Sequence, residues 1–284
     1  MQVAWERVTV GGMNVLPLLL AAAMAAEPGQ PGPPAAAAPV QASASKADAA
    51  PAEPAADVEA LLAKADAAWA VRDQPGQVDA LAEALLAAAA RAPDSYAVLW
   101  RQARHLGWLS EEPTLAKAEK SRIGMLAWSL GDKARAIEPD KVEGHFFAMS
   151  GVGNYSLGIG VVSALMKGIE GKFKERLARA EAIDPNFEGG VIQMSWGRFY
   201  FELPWPKHDA ALSEKYLRDA IARNGENVRP HVYLGDLLLD EGRKDEARAA
   251  YQRAAAIVPG KSDPPEQRRW QVVAREALEK LPSK

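Results

Sequence analysis

The sequence contains no cysteine. That excludes disulfides, thiolate catalysis, cysteine-held metal centres and a lipobox cysteine for lipid attachment. Histidine is scarce: His105, His145, His208 and His231 are the whole set. No two stand at the helical spacing of a metal-ligand pair, and no HExxH occurs, so no metal or cofactor is expected. Neither sign of charge dominates. With 34 Lys and Arg against 37 Asp and Glu the net charge is −3. No basic stripe invites nucleic acid, and no acidic block forms a solvating tail. No Ser/His/Asp order and no carboxylate pair in a glycosidase-like setting stands out, which argues against an enzyme. β-Branched runs are few and alanine is abundant, which favours an all-helical chain.

The apolar run Val15–Met24 is too short to cross a bilayer as a helix. With Arg7 before it and small residues at Ala23 and Ala25 after it, it has the layout of an export signal over residues 1–25, cut before Ala26. A start at Met13 and retention as an N-terminal anchor are the alternatives. Residues 26–56 are rich in Pro, Ala, Gly, Gln and Ser and cannot bury enough apolar area to offset ordering entropy; they are expected to be a disordered linker. The expected location is periplasmic or secreted, without a lipid anchor.

From Asp57 onward helical punctuation recurs. Ends fall at Pro93, Pro139, Pro185, Gly225 and Pro259. The pattern predicts ten or eleven helices, near 57–72, 76–92, 94–109, 114–138, 141–157, 159–183, 187–203, 208–223, 228–241, 244–258 and 264–281. In the last one Asp263 caps, Pro264 opens and Glu266 completes a capping box. Gly151–Gly160 is glycine-rich, but no strand precedes it and the Lys-Ser/Thr end of a phosphate loop is missing. Its small residues are expected to allow a close helix crossing or a kink.

The best-defined unit is 228–261. Leu234-Gly235, Leu238, Ala247, Tyr251, Ala254 and Pro259 stand where a tetratricopeptide repeat puts its packing residues. Gly235 and Ala247 allow close approach, the larger residues fill the seam, and Gly242-Arg243 makes the turn. The expected fold is therefore all-α: a superhelix of antiparallel helix pairs over 57–284, with a C-terminal capping helix. Three further phrases, Tyr96–Arg104, Ala134–Phe147 and Gly189–Pro204 followed by Lys207-His208-Asp209, together resemble the T-component family of bacterial TRAP transporters. The resemblance covers about residues 58–258. It implies cryptic tetratricopeptide repeats, export to the periplasm, trimers in some members and a solute-binding protein as partner. This chain lacks the lipobox cysteine and the Gly-Gly-Asp often seen after the phrase that ends at Pro204.

Two kinds of site are expected. A binding protein for another envelope protein or a peptide segment would use the concave face of the last two repeats: Arg198, Glu202, Arg229, Asp236 and Asp240. These are expected to be exposed polar residues that fold without one another. A transport accessory for a small hydrophobic ligand would instead use an apolar cavity, with Trp196, Tyr200 and Tyr155 in its lining. An enclosed apolar pocket would favour the second reading, an open polar groove the first. Trp205, between two prolines, is expected to be exposed. Self-association is compatible with either reading.

Overall fold

The computed structural model describes residues 53–260 and 262–281, with two short strands near the N-terminus. Those strands, β1 (Thr9–Val10) and β2 (Met13–Asn14), pair antiparallel. The rest of the expected signal, and the expected linker up to residue 52, lie outside the described residues. The remainder is helical. Helix α1 is Glu53–Trp69, α2 Gln77–Arg91, α3 Tyr96–Ser110, α4 Lys117–Ile137 and α5 Val142–Ile159. Then come α6 Val161–Met166, α7 Ile169–Ile183, a 3₁₀ turn Phe187–Gly189, α8 Val191–Glu202 and α9 Ala210–Arg223. Helices α10 Val228–Asp240, α11 Lys244–Ala256 and α12 Pro264–Lys280 complete the chain.

The helices pack as consecutive antiparallel pairs: α1 with α2, α3 with α4, α5 with α7, α8 with α9, and α10 with α11, with α12 against the last pair. This is the all-α repeat architecture expected. Two details differ. Helix α1 starts inside the expected linker, because Pro54 in a first turn removes no helical hydrogen bond. The single helix expected over 159–183 is two, broken at Gly168, whose φ of 68° is left-handed and ends a helix without side-chain clash.

The tightest contact is α4 on α5, and glycine makes it. On α4, Gly124 and Gly131 stand seven residues apart; on α5, Gly144, Gly151 and Gly158 do the same. Seven residues return a helix nearly to the same face, so each set is a smooth strip. A Cβ added at Gly131 would lie 2.5 Å from the Ala148 nitrogen, and one at Gly124 2.5 Å from the Tyr155 nitrogen. A Cβ at Gly158 would lie 2.5 Å from the Ser121 nitrogen. The glycine-rich segment is thus a helix–helix contact surface, as its composition suggested.

The last pair has the repeat seam expected. Gly235 faces the Tyr251 ring, 2.5 Å from where a Cβ would be, and Ala247 is fully buried. Substituting Ala247→Trp should force α10 and α11 apart and cost roughly 1–3 kcal/mol. A melting midpoint equal to wild type would show that Ala247 is not in the seam.

Candidate functional site

The first helices of the pairs share one inner face. Side chains from α1, α3, α5, α8 and α10, with α6, the start of α7 and α12, line a central cavity of about 840 Å³. That is within the usual range of ligand pockets, roughly 300–1,000 Å³. One wall is apolar: Phe146, Phe147, Met149, Phe173, Met194 and Phe199. These rings pack on one another, with Phe173 and Phe199 stacked at 4.9 Å and Phe146 and Phe147 edge-on at 5.4 Å. Stacking fixes their positions without the cavity being filled.

The other wall is charged, and it closes the array on itself. Arg72, in the turn after α1, lies between the Trp69 and Trp108 rings at 3.8 and 4.1 Å and hydrogen-bonds Asp263 at 2.8 Å. Arg268 pairs with Asp73. Arg269 stacks on Trp108 at 3.2 Å and donates to its carbonyl. Arg229 of α10 bridges Glu111 at the end of α3 (2.8 Å) and Glu266 of α12 (2.9 Å), over the Trp270 ring at 4.5 Å. Burial by itself would lower the Arg229 pKa, but Glu111, Tyr233 and Glu266 raise it, so the guanidinium stays charged. First, second and last units therefore touch, through planar cations sandwiched by indoles.

Glu188 stands apart on this wall. It occupies the 3₁₀ turn before α8 with φ 43° and ψ 36°, left-handed for a residue with a Cβ. It and Asp263, at φ 46°, are the two non-glycine residues with positive φ among those described. Both line the cavity. Such conformations cost of order 1–3 kcal/mol and gather at functional sites. Glu188 is exposed toward the cavity, and the protein packed around it pushes its pKa up to about 7. Arg104 and Arg72 oppose the shift; Asp263 and Glu266 add to it.

The candidate residues fall in three places. Arg198, Glu202, Arg229 and Asp236 line the cavity, as first helices facing inward should. They are not free recognition groups. Arg198 bridges Glu202 at 2.6 Å and Asp236 at 2.8 Å, and Asp236 also accepts from the Tyr251 hydroxyl at 2.8 Å. The geometry argues against the expected independence: the last helix pair and its neighbour hold these charges as partners. Asp240 is exposed outside the cavity lining, and with Glu241 and His208 it places one potential ligand atom each within 4.8 Å. That grouping joins the loop before α9 to the end of α10, so histidine spacing alone did not show it. Trp196, Tyr200 and Tyr155 are not in the cavity lining. Trp196 is buried against Tyr200 and Tyr216 and donates to Glu181 at 2.9 Å; Tyr155 packs on Trp128 at 6.0 Å. Trp69, Trp108 and Trp270 line it instead. Trp205 is 88% exposed, as its flanking prolines suggested.

No family model matches the sequence, and no curated protein matches it. The fold is that of a tetratricopeptide-repeat protein. Among solved structures, the chain is similar to a thermophilic TPR protein of Thermus thermophilus, at 20% identity with a TM-score of 0.60. The match covers 78% of this chain and 99% of that one.

Proposed function

We propose that this chain is a non-enzymatic binding protein that holds a small amphipathic molecule within its ring of repeats. The observation that carries this is the central cavity, with stacked phenylalanines on one wall and charge on the other. An apolar body finds desolvation at the first wall and a polar head finds partners at the second. The non-enzymatic part is supported by the state of the charges. Nearly all those lining the cavity are neutralised in ion pairs that join helices, not aligned as nucleophile and base. The resemblance to the T-component family gives this reading a setting: a cell-envelope accessory to a solute transporter, periplasmic or secreted, acting with a solute-binding protein. Export rests on the sequence argument alone.

The test is direct. Trp69, Trp108 and Trp270 line the cavity, so a neutral probe, dodecanol, should change tryptophan fluorescence saturably. Ser195, on the inner face of α8, also lines it. Ser195→Trp should fill the space and weaken dodecanol binding at least tenfold with little change in the melting midpoint. Undiminished binding would place the probe elsewhere.

A second reading, contact with another envelope protein or a peptide, is supported by the outer surface. Trp205, Met166 and Val162 are 88%, 86% and 60% exposed. Lys207 pairs with Glu170, which sets the Trp205 loop beside the start of α7. Exposed aromatic and methionine side chains are favoured in recognition surfaces.

A further inference from the structure

Charge does not choose a ligand for the cavity. Arg72 holds Asp263, Arg198 holds Glu202 and Asp236, and Arg229 holds Glu111 and Glu266. Among the described lining residues Lys120 and Glu188 have no ion pair, and they are of opposite sign. The neutral polar groups of the lining are more selective. Most are committed to backbone. The Ser156 and Ser195 hydroxyls donate to the Val152 and Val191 carbonyls of their own helices, at 2.8 and 2.7 Å. The Asn224 and Asn227 side-chain oxygens accept from the Glu226 and Arg229 nitrogens. Gln267 accepts from the Gly260 nitrogen and donates to the Ser262 carbonyl. Ser262 itself is exposed and meets water.

Two lining residues of α5 differ. Among the described residues, the side chains of Ser150 and Asn154 have no hydrogen-bond partner. They stand four residues apart, so they are neighbours on one helix face. Asn154 is only 6% exposed, and its Nδ2 is buried without an acceptor. A buried amide left unpaired costs as much as a lost hydrogen bond, and native folds leave few of them. The same face carries the aromatic wall. Phe146 lies four residues before Ser150, and Phe173 of α7 packs against Gly153. Eight residues of α5 separate Phe146 from Asn154, about 12 Å of helix. A head group at Asn154 therefore lets a chain run along that wall.

We propose that Ser150 and Asn154 form the polar subsite of the cavity. It takes a neutral head that both donates and accepts, a hydroxyl or a primary carboxamide, while the alkyl chain lies against Phe146, Phe147, Phe199 and Met194. The proposal rests on the cavity reading above. It moves the head from the charged wall, whose ions hold each other, to α5. An amide carries a donor and an acceptor, and turning about its last torsion exchanges them; a serine hydroxyl is equally adaptable. Both suit a hydroxyl or a carboxamide. An ionic head would lose its hydration here and find no counter-ion on α5. The subsite also has a signature in stability. In the free protein the unpaired amide is a cost, so leucine at 154, similar in size, should leave the fold as stable or more so.

The experiment uses the full chain at pH 7 and four probes with one tail: dodecanol, dodecanamide, dodecylammonium and dodecanoate. Each is kept below its micelle threshold and read by tryptophan fluorescence. The two neutral probes should bind about tenfold or more tighter than either ion. Asn154→Leu should weaken both neutral probes by about tenfold or more, with a melting midpoint at or above wild type. Ser150→Ala should weaken them severalfold. An ion that binds the wild-type chain as tightly as dodecanol overturns the proposal, and so does dodecanol affinity unchanged in both variants. Loss of stability in Asn154→Leu, up to failure to fold, assigns the amide to the fold and overturns it as well. Failure of all four probes to bind overturns the cavity reading together with this proposal. Dodecanol binding that Ser195→Trp weakens and neither α5 variant changes overturns only this one.

Discussion

A leucine at Gly131 should lower the melting midpoint by up to about ten degrees. Even a Cβ at this position would lie 2.5 Å from the Ala148 nitrogen and 2.6 Å from its Cα. Both are backbone atoms, so no rotamer change relieves the overlap. The α4 and α5 helices must separate, which opens the strip formed by Gly124, Gly144, Gly151 and Gly158 as well. Overpacking ordinarily costs about 1–3 kcal/mol and more where backbone must move. For a domain of this size roughly 2–4 °C corresponds to each kcal/mol. Gly171→Ala is the matched control, since nothing lies within 4 Å of its added Cβ and it sits in α7. It should be neutral or stabilise by up to about 1 kcal/mol. A Gly131→Leu variant that melts with wild type would mean that α4 and α5 do not cross at these glycines.

Removing Arg229 should be at least as severe. Among the described residues it is the cation that forms ion pairs with both Glu111, at the end of α3, and Glu266 of α12. Without it Glu111 loses its ion pair, Glu266 keeps only the longer ion pair with Arg72 at 4.0 Å, and the Trp270 and Tyr233 rings lose the guanidinium between them. Breaking a buried ion pair from one side costs about 3–5 kcal/mol. Arg229→Ala should therefore lower urea and thermal stability by that order. Arg218→Ala, which breaks only an exposed pair with Glu214 four residues away, should change stability by under about 1 kcal/mol. Equal stability for both variants would remove the closing role of Arg229. An exposed recognition residue would have given the opposite result, loss of a partner with the fold intact.

The contrast between those two expectations marks where sequence carries information. Leu234, Gly235, Ala247 and Tyr251 meet within a single helix pair, and local spacing reports local packing. The inward direction of Arg198 and Asp236 followed from the same logic. Their partners did not follow. Arg72 meets Asp263 across 191 residues, and Arg229 meets Glu111 across 118. Pairing at such range depends on the summed rotation of every intervening repeat, which no spacing rule records. The tryptophans show the same limit. Trp196 and Trp108 both lie on inner-row helices, yet one faces its own helix pair and the other the cavity, a difference of helix phase. A faint signal was present in Trp69 with Arg72 and Trp100 with Arg104, aromatic and arginine one turn apart. Glu188 carried none, because spacing put it in the first turn of a helix over 187–203, and the left-handed glutamate before Gly189-Gly190 delays that helix to Val191.

The closed array also changes how the chain comes apart. An open stack of repeats behaves as a row of nearest-neighbour units, and its ends fray first because each end has one neighbour instead of two. Here the last helix reaches back to the start of the array, through Arg72 with Asp263 and Asp73 with Arg268 in the turn after α1, and through Trp108 of α3 with Arg269. A row with joined ends has no preferred place to start melting. Opening any single unit breaks two interfaces, so partial unfolding is penalised everywhere and the domain is drawn toward one cooperative transition.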